Sequence, residues 1–574
     1  MAMLLPGSTM RTPYTPTHGR RILCVFPRYA RSFGTFQHAY PLFGGRIRAF
    51  MPPQGLLVIA AYLPDAWDVR FIDENSRRAS DDDLRWADAV FTSGMHIQRC
   101  EILDLTRRAH AHGRPVVLGG PSVSGCPAYY PDVDLRHVGE LGDATDRVIE
   151  WVDTHTGQPP APLSFVTEER LPLAAFPVPA YHLVPMREYF IATIQYSSGC
   201  PYACEFCDIP ALYGRNPRLK SAEQVLTELE QITAAGALDV YFVDDNFIGN
   251  QKAALELLPR LVEWQTANRY PLRFACEATL NLAKNERVLE LMREAGFQTV
   301  FCGIETPEPS ALRSISKDQN LRMPLLEAVR RINDHGMEVV SGIILGLDTD
   351  SPETADRILE FVRASRIPML TINVLYALPK TPLWRRLEAE SRLRPDGARE
   401  SNVEFKLPYE TVMAMWRRCI SAAYEPAALY ERFAHNVVHT FARRQRYPVS
   451  AHRASWTNVA MGLGLVGRLV WRIGVRGDYR GTFWRFALGR LGSGDLEGLI
   501  HVAVVSHHLI EFTRDCLRGA GESSFYAPTP ATGMRAGAVS ADIAMPRLPL
   551  VPAGSGESDE AAELHARTSH TASR

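Results

Sequence analysis

The chain has 574 residues, a length that gives two to four domains and enough apolar core to fold without disulfide staples. Apolar residues make up 46% and charged residues 22%, with 40 Gly and 40 Pro, so a fibrous or wholly disordered chain is excluded. Lysine and arginine number 63 against 64 acids; a net charge of -1 creates no global field for nucleic acid, and no nucleic-acid partner is expected.

Residues 1–20 break at Pro6 before any sustained apolar run and read as a disordered leader, not a secretory signal. From Arg21, short runs rich in Val, Ile and Phe alternate with helix-length segments: RILCVFP (21–27), VRFIDEN (69–75), DAVFTSG (88–94) and RPVVLGG (114–120). Strands of this kind, buried on both faces, predict a doubly wound parallel sheet over residues 21–155, with ligand loops at the strands' carboxyl ends. Its glycine turns are Ser93-Gly94, Gly119-Gly120-Pro121-Ser122 and Gly139-Glu140-Leu141-Gly142; no GxGxxG follows the first strand. Residues 156–189, with Pro159, Pro162, Pro172, Pro177, Pro179 and Pro185, read as an extended linker.

A second series occupies residues 190–390: FIATIQYSSG (190–199), DVYFVDDN (239–246), RFACEATL (273–280), TVFCGIET (299–306), VVSGIILG (339–346) and MLTINVLYAL (369–378). Six β/α units predict a full or partial barrel whose chemistry lies on the loops after the strands. Residues 391–519 read as mainly helical, rich in tryptophan and arginine, and residues 520–574 as a disordered tail. No run of eighteen apolar residues occurs, so a membrane-spanning helix is not expected.

Seven of the ten cysteines are scattered, as suits a reducing cytosol. The other three form Cys200-Pro-Tyr-Ala-Cys204-Glu-Phe-Cys207, directly after the first barrel strand. Thiolates at these spacings can converge on one metal centre. No fourth Cys or His follows at zinc-module spacing, whereas a four-iron cluster on three thiolates leaves one iron open to a small ligand. Structural zinc and buried inert thiols are the competing readings.

With Phe206 before the last cysteine and the loop at the end of a first barrel strand, the sequence resembles the radical S-adenosylmethionine (SAM) enzymes. The resemblance implies a 4Fe-4S cluster on Cys200, Cys204 and Cys207 whose open iron binds SAM, reduced by an external donor such as flavodoxin or ferredoxin. It also implies SAM contacts from Asp244-Asp245-Asn246, where carboxylates replace the family's usual glycines, and from Glu277, Glu305 and the Gly342–Gly346 segment. Helix caps or pairing with barrel arginines would equally explain the two glutamates, and a buried glycine strand the last segment. Ahead of such a barrel, the N-terminal sheet resembles the module of the cobalamin-dependent radical SAM class, so Ser93, Gly94, Gly119, Gly120, Ser122 and Glu140 are expected at cobalamin. The DxHxxG motif that supplies an axial histidine is absent, and His96 lies outside its pattern. A degenerate module that binds nothing is the plain alternative.

Phe33-Gly-Thr-Phe36, Phe50-Met-Pro-Pro-Gln54-Gly55, Met95-His-Ile-Gln98 and Cys207-Asp208-Ile209 look like the subgroup of bacterial hopanoid methylases that act at carbon 2 of ring A. The function this implies is C-methylation of a hydrophobic polycyclic lipid, with methylcobalamin as methyl carrier. A cobalamin-retaining radical cyclase and an iron-sulfur or cobalamin regulatory protein without turnover are the alternatives. Arg468, Arg472 and Arg476 recur at intervals of four among apolar residues, the texture of a helix that packs on the barrel or rests peripherally on the inner membrane of a cytoplasmic enzyme.

Overall fold

The computed structural model describes residues 12–395, 400–445, 456–492 and 495–519. The tail 520–574 and the first part of the leader lie outside them. Residues 12–20 do not behave as a free leader: Thr12 Oγ1 donates to Asp146, and Tyr14 Oη and the Thr17 amide both donate to the buried Asp153 carboxylate.

The N-terminal sheet is six-stranded and parallel, in the order β2-β1-β3-β4-β5-β6, from β1 (Arg21–Phe26), β2 (Asp68–Asp73), β3 (Ala89–Ser93), β4 (Val116–Gly119), β5 (Leu135–Val138) and β6 (Leu163–Val166). Ile22, Leu23, Cys24 and Val25 have no exposed surface, as expected of a strand covered by helices on both faces. Two strands escaped the sequence reading. β5 spells LRHV, which carries no apolar run, and β6 lies in the segment read as a proline-rich linker, pairing with β5 at Leu135↔Leu163.

The second sheet is parallel and open, in the order β14-β13-β12-β11-β10-β7. Its strands are β7 (Ala192–Ile194), β10 (Asp239–Phe242), β11 (Arg273–Ala278), β12 (Phe297–Glu305), β13 (Glu338–Leu345) and β14 (Leu370–Val374), and the tiny hairpin β8 (Ser197–Ser198) with β9 (Arg218–Leu219) stands beside them. The result is a six-unit partial barrel. Its helices begin where caps dictate: Ser221 and Gln224 form a capping box, and Asn250 and Asn285 accept the amides of Ala253 and Val288. After the barrel come helices Pro382–Ala389, Tyr409–Ala423, Pro426–His439, Trp456–Leu469, Arg480–Gly492 and Leu496–Leu517. The fully buried Trp416 donates its indole N–H to the Ile372 carbonyl at 2.9 Å, fixing helix Tyr409–Ala423 against β14.

Polar bonds hold the two sheets together. Tyr181 Oη donates to the Thr193 carbonyl at 2.9 Å, Thr193 Oγ1 donates to the Pro52 carbonyl at 3.0 Å, and Lys380 Nζ donates to the Ser124 carbonyl at 2.6 Å. Beside them, Lys220 and Glu228 form a fully buried ion pair that also receives Gln54 and Tyr181. A buried pair of this kind fixes register more than it adds stability.

Candidate active site

The cluster loop starts with a tight turn at Gly199, where φ is +99° and a side chain would meet the Gly214 carbonyl at 2.9 Å. The Cys200 amide donates to Gly214 and the Cys207 amide to the Cys204 carbonyl. Outside the loop, Glu205 is held by Arg386 of helix Pro382–Ala389, and Arg386 also reaches Asp348 at 2.7 Å, so the first post-barrel helix clamps the loop. Cys204 Sγ accepts from Gln319 Nε2 at 3.4 Å, and Asn246 Nδ2 lies 4.0 Å from Cys200 Sγ. Burial pushes the Cys200 thiol up and the Cys207 thiol well up, which coordination to iron reverses by deprotonating the ligand. Among the described residues no group of three or more metal-ligating side chains converges on a single-ion position. Thiolates on a four-iron cluster bind separate irons, and three cysteines on one loop can supply them.

The Asp-Asp-Asn segment after β10 supports that loop. Asp244 Oδ1 accepts the Tyr196 and Ser197 amides, and Asp245 Oδ2 accepts the Gly199 amide at 2.7 Å. Asp244 Oδ2, Asn246 Oδ1 and Ser197 Oγ remain buried without a partner, an arrangement that leaves polar groups for a zwitterionic ligand. Burial raises Asp244 to about 7 and Asp245 to about 6, and Glu277, beside Tyr241 Oη at 3.4 Å, to about 7. Such carboxyls hold their protons in the native state above the pH at which an unfolded chain loses them, so they weaken the fold as pH rises from about 4 through about 7. The Glu277→Gln apoprotein should therefore gain stability over wild type by roughly 2–3 kcal/mol between pH 5 and pH 8. Denaturant midpoints at both pH values measure this, and a difference that stays constant would refute it.

Glu305 ends β12 after a register shift against β13 and has φ of +66°, a conformation that a non-glycine residue holds only when its surroundings impose it. The shift turns its carboxylate to Lys317, whose ammonium pairs with Glu305 while lying 5.6 Å from the Phe206 ring centre. Desolvation is the largest influence on Lys317 and works against its charge, but Glu305 together with the sulfurs of Cys204 and Cys207 holds the ammonium above its ordinary range. Gly303 leaves the space: a side chain there would lie 2.7 Å from Lys317 Nζ. Lys317→Met should cost about 3 kcal/mol by stranding a buried carboxylate, and adding Glu305→Gln should recover most of it. Urea midpoints of the single and double variants decide; an additive double variant would remove the pair from the account.

A cavity of about 240 Å³ lies where the carboxyl ends of the N-terminal strands meet the barrel. Ser93, Gly119, Gly120 and Glu140 line it from one side, and Gln195, Ser198, Tyr213 and Asp245 from the other. Glu140 is also a strut, binding Arg218 of β9 at 2.6 Å, Arg170 at 3.0 Å and Ser198 Oγ at 3.1 Å. Gly120, with φ of +94°, would drive a side chain into Ser93 Oγ. His137, unmarked in the sequence, lines the cavity, bonds Thr145 at 2.9 Å and is kept neutral by burial, which lowers it to about 4.

Ser122 and Gly94, expected at cobalamin, fall elsewhere, as does His96, which the absent axial-ligand motif had left unmarked. Ser122 binds the Tyr130 hydroxyl, Gly94 sits behind Gly120, and His96 packs between Tyr129 and Tyr376; none of the three lines the cavity. A Cβ at Gly342 would lie 3.5 Å from the Glu305 carboxylate, so this glycine faces Glu305 across β12 and β13, whereas Gly346 is covered by Phe405. Lys317 and Gln319 were missed because ISKDQN resembles any polar loop; the only signal was its place after the fourth barrel strand.

A three-cysteine loop on the first strand of a six-unit open barrel defines a radical SAM enzyme. Residues 194–362 match the radical SAM superfamily, and residues 381–522 match a domain of unknown function (DUF4070). The chain is 58% identical over 509 residues to the hopanoid C-2 methylase of Rhodopseudomonas palustris (strain TIE-1), spanning 88% of this chain and 96% of that protein. Among solved structures it is similar to the radical SAM methyltransferase TsrM from Kitasatospora setae with cobalamin and a 4Fe-4S cluster bound (TM-score 0.53, 16% identity, 83% of this chain and 100% of that one). It is also similar to the cobalamin-dependent radical SAM enzyme OxsB with aqua-cobalamin and SAM bound (TM-score 0.54, 14% identity, 87% and 80%). These two share the fold. The chain belongs to the family of the hopanoid C-2 methylase, within the radical SAM methyltransferases.

Proposed function

We propose that the protein adds a methyl group to carbon 2 of hopanoid ring A, using SAM, a 4Fe-4S cluster on Cys200, Cys204 and Cys207, and cobalamin in the inter-domain cavity. The observation that carries this reading is the 58% identity to a hopanoid C-2 methylase along almost the whole of that protein. The cavity supports it, because one space borders both the glycine turns of the N-terminal sheet and the strand end that leads into the cluster loop.

An aliphatic C–H offers no proton that a side chain can remove near neutral pH, so the buried carboxyls cannot start the reaction as bases. When bound, cluster-linked SAM supplies a hydrogen-abstracting radical and cobalamin carries the methyl group. The chain's own work is placement. Asp244 and Asp245 hold the loop backbone, Asn246 and Gln319 address the thiolates, Glu305 with Lys317 presents a fixed charge pair beside Phe206, and the Glu140–Arg218–Arg170 strut keeps the two cofactor regions in register. An external flavodoxin or ferredoxin provides the electron, and the ten free thiols suit a reducing cytoplasm. Comparison of lipids from cells with and without the gene tests the reading: ring-A methylated hopanoids should disappear on deletion, and an unchanged hopanoid profile would reject it.

A further inference from the structure

Along helix Trp456–Leu469 and the π-helical turn Val470–Val475, two opposite sides are both apolar. Leu465, Leu469 and Ile473 are buried against the protein. On the other side Val459, Leu463, Trp471 and Trp456 face outward, exposed to 42%, 69%, 53% and 87%. Their spacing places them along one stripe opposite the buried one. A helix apolar on both sides needs two partners, and the fold supplies one. Leu488, Leu491 and Leu496 extend the exposed surface onto the next two helices. Of the twelve exposed large apolar side chains among the described residues, eight lie between residues 456 and 496, which is clustering and not the ordinary scatter of single exposed residues.

Charge identifies the partner. Residues 456–492 contain six arginines, Arg468, Arg472, Arg476, Arg480, Arg485 and Arg490, against one acid, Asp478. They do not form the single stripe that their spacing in the sequence predicts. Arg468 turns inward to the Leu42 carbonyl, Arg476 lies 5.0 Å from the Trp471 ring centre, and Arg472 lines a recess of about 540 Å³ together with Arg28, Arg31, Arg48 and Glu511, in which Arg31 pairs with Asp515 at 3.1 Å and Arg48 with Glu188 at 3.5 Å. The π-helical turn breaks the four-residue repeat and sends these side chains in different directions. An outward apolar stripe with tryptophans, edged by Arg472 and Arg476 and ending at an arginine-lined recess, matches a phosphate-bearing lipid interface: apolar groups enter the acyl boundary and guanidinium groups stay at headgroup level. No helix among the described residues is long and apolar enough to cross a membrane, so this surface lies on a bilayer and not through it.

We propose that this face docks the enzyme on an anionic bilayer, with Trp456, Leu463 and Trp471 entering the interface and Arg472, Arg476 and the recess receiving lipid phosphates. The inference rests on exposure and charge and stands independently of the substrate. The full chain should sediment with vesicles of phosphatidylcholine and phosphatidylglycerol at least tenfold more strongly than with phosphatidylcholine alone, and tryptophan emission should shift to the blue on binding. The Leu463→Glu/Trp471→Glu variant should lose at least tenfold in vesicle affinity while keeping its circular dichroism and melting temperature. It should also keep its turnover of detergent-dispersed substrate, which separates a failure of docking from a failure of the proposed reaction. Equal vesicle binding by wild type and variant, or none by wild type, would overturn the proposal. So would self-association of wild type, abolished in the variant, with no vesicle binding, because the face would then belong to a second copy of the chain.

Discussion

Replacing Cys200, Cys204 or Cys207 by alanine should each reduce the iron of anaerobically reconstituted protein from about four per chain to a small fraction of that, and abolish turnover. A cluster on three thiolates has no spare ligand. Gln319 and Asn246 approach the sulfurs as donors, and Asp244 and Asp245 accept backbone amides from Tyr196, Ser197 and Gly199. Cys276 and Cys302 provide the contrast. Both are fully buried within β11 and β12, in the interior of the sheet, so Cys276→Ala and Cys302→Ala should retain the iron and its absorbance. Undiminished iron in the three loop variants would remove the cluster from this site.

Gly119→Leu should weaken cobalamin uptake more than tenfold while leaving the iron-sulfur signal intact. A Cβ at Gly119 meets nothing closer than His137 at 3.9 Å, and the backbone there is not in the left-handed region, so the substitution starts without backbone strain. The leucine would nevertheless project from the cavity wall that Gly119 shares with Gly120 and Glu140. Gly120→Ala is the complementary variant: with φ of +94° and Ser93 Oγ in the way, it should lower the melting temperature as well. Spectrophotometric titration with cobalamin measures both. Undiminished uptake by Gly119→Leu would show that the corrin lies elsewhere.

What the sequence made legible follows from the range of each interaction. Alternating apolar runs and the cysteine spacing are local, and they placed two parallel sheets and the cluster loop. Lys317 is different: its role exists only because the β12 bulge turns Glu305 toward a loop twelve residues later, and no periodicity encodes that meeting. Glu140 was marked for its glycine turn, but its partners Arg170 and Arg218 come from segments that the fold brings together. His137 sits on a strand too polar to be recognised, and β6, only four residues long, was hidden by the prolines just before it, Pro159, Pro160 and Pro162. Likewise the arginine repeat of the C-terminal helices suggested one stripe because a regular α-helical period was assumed through a π-helical turn.

The most direct measurement of the proposed reaction is incubation of the loaded enzyme with SAM, a low-potential reductant, methylcobalamin and a hopanoid deuterated at carbon 2. The account predicts deuterium in 5'-deoxyadenosine, a hopanoid product heavier by one methyl-for-deuterium exchange, and S-adenosylhomocysteine approaching a one-to-one ratio with 5'-deoxyadenosine. Deuterium transfer without methylated product, or methylated product without 5'-deoxyadenosine, would contradict it.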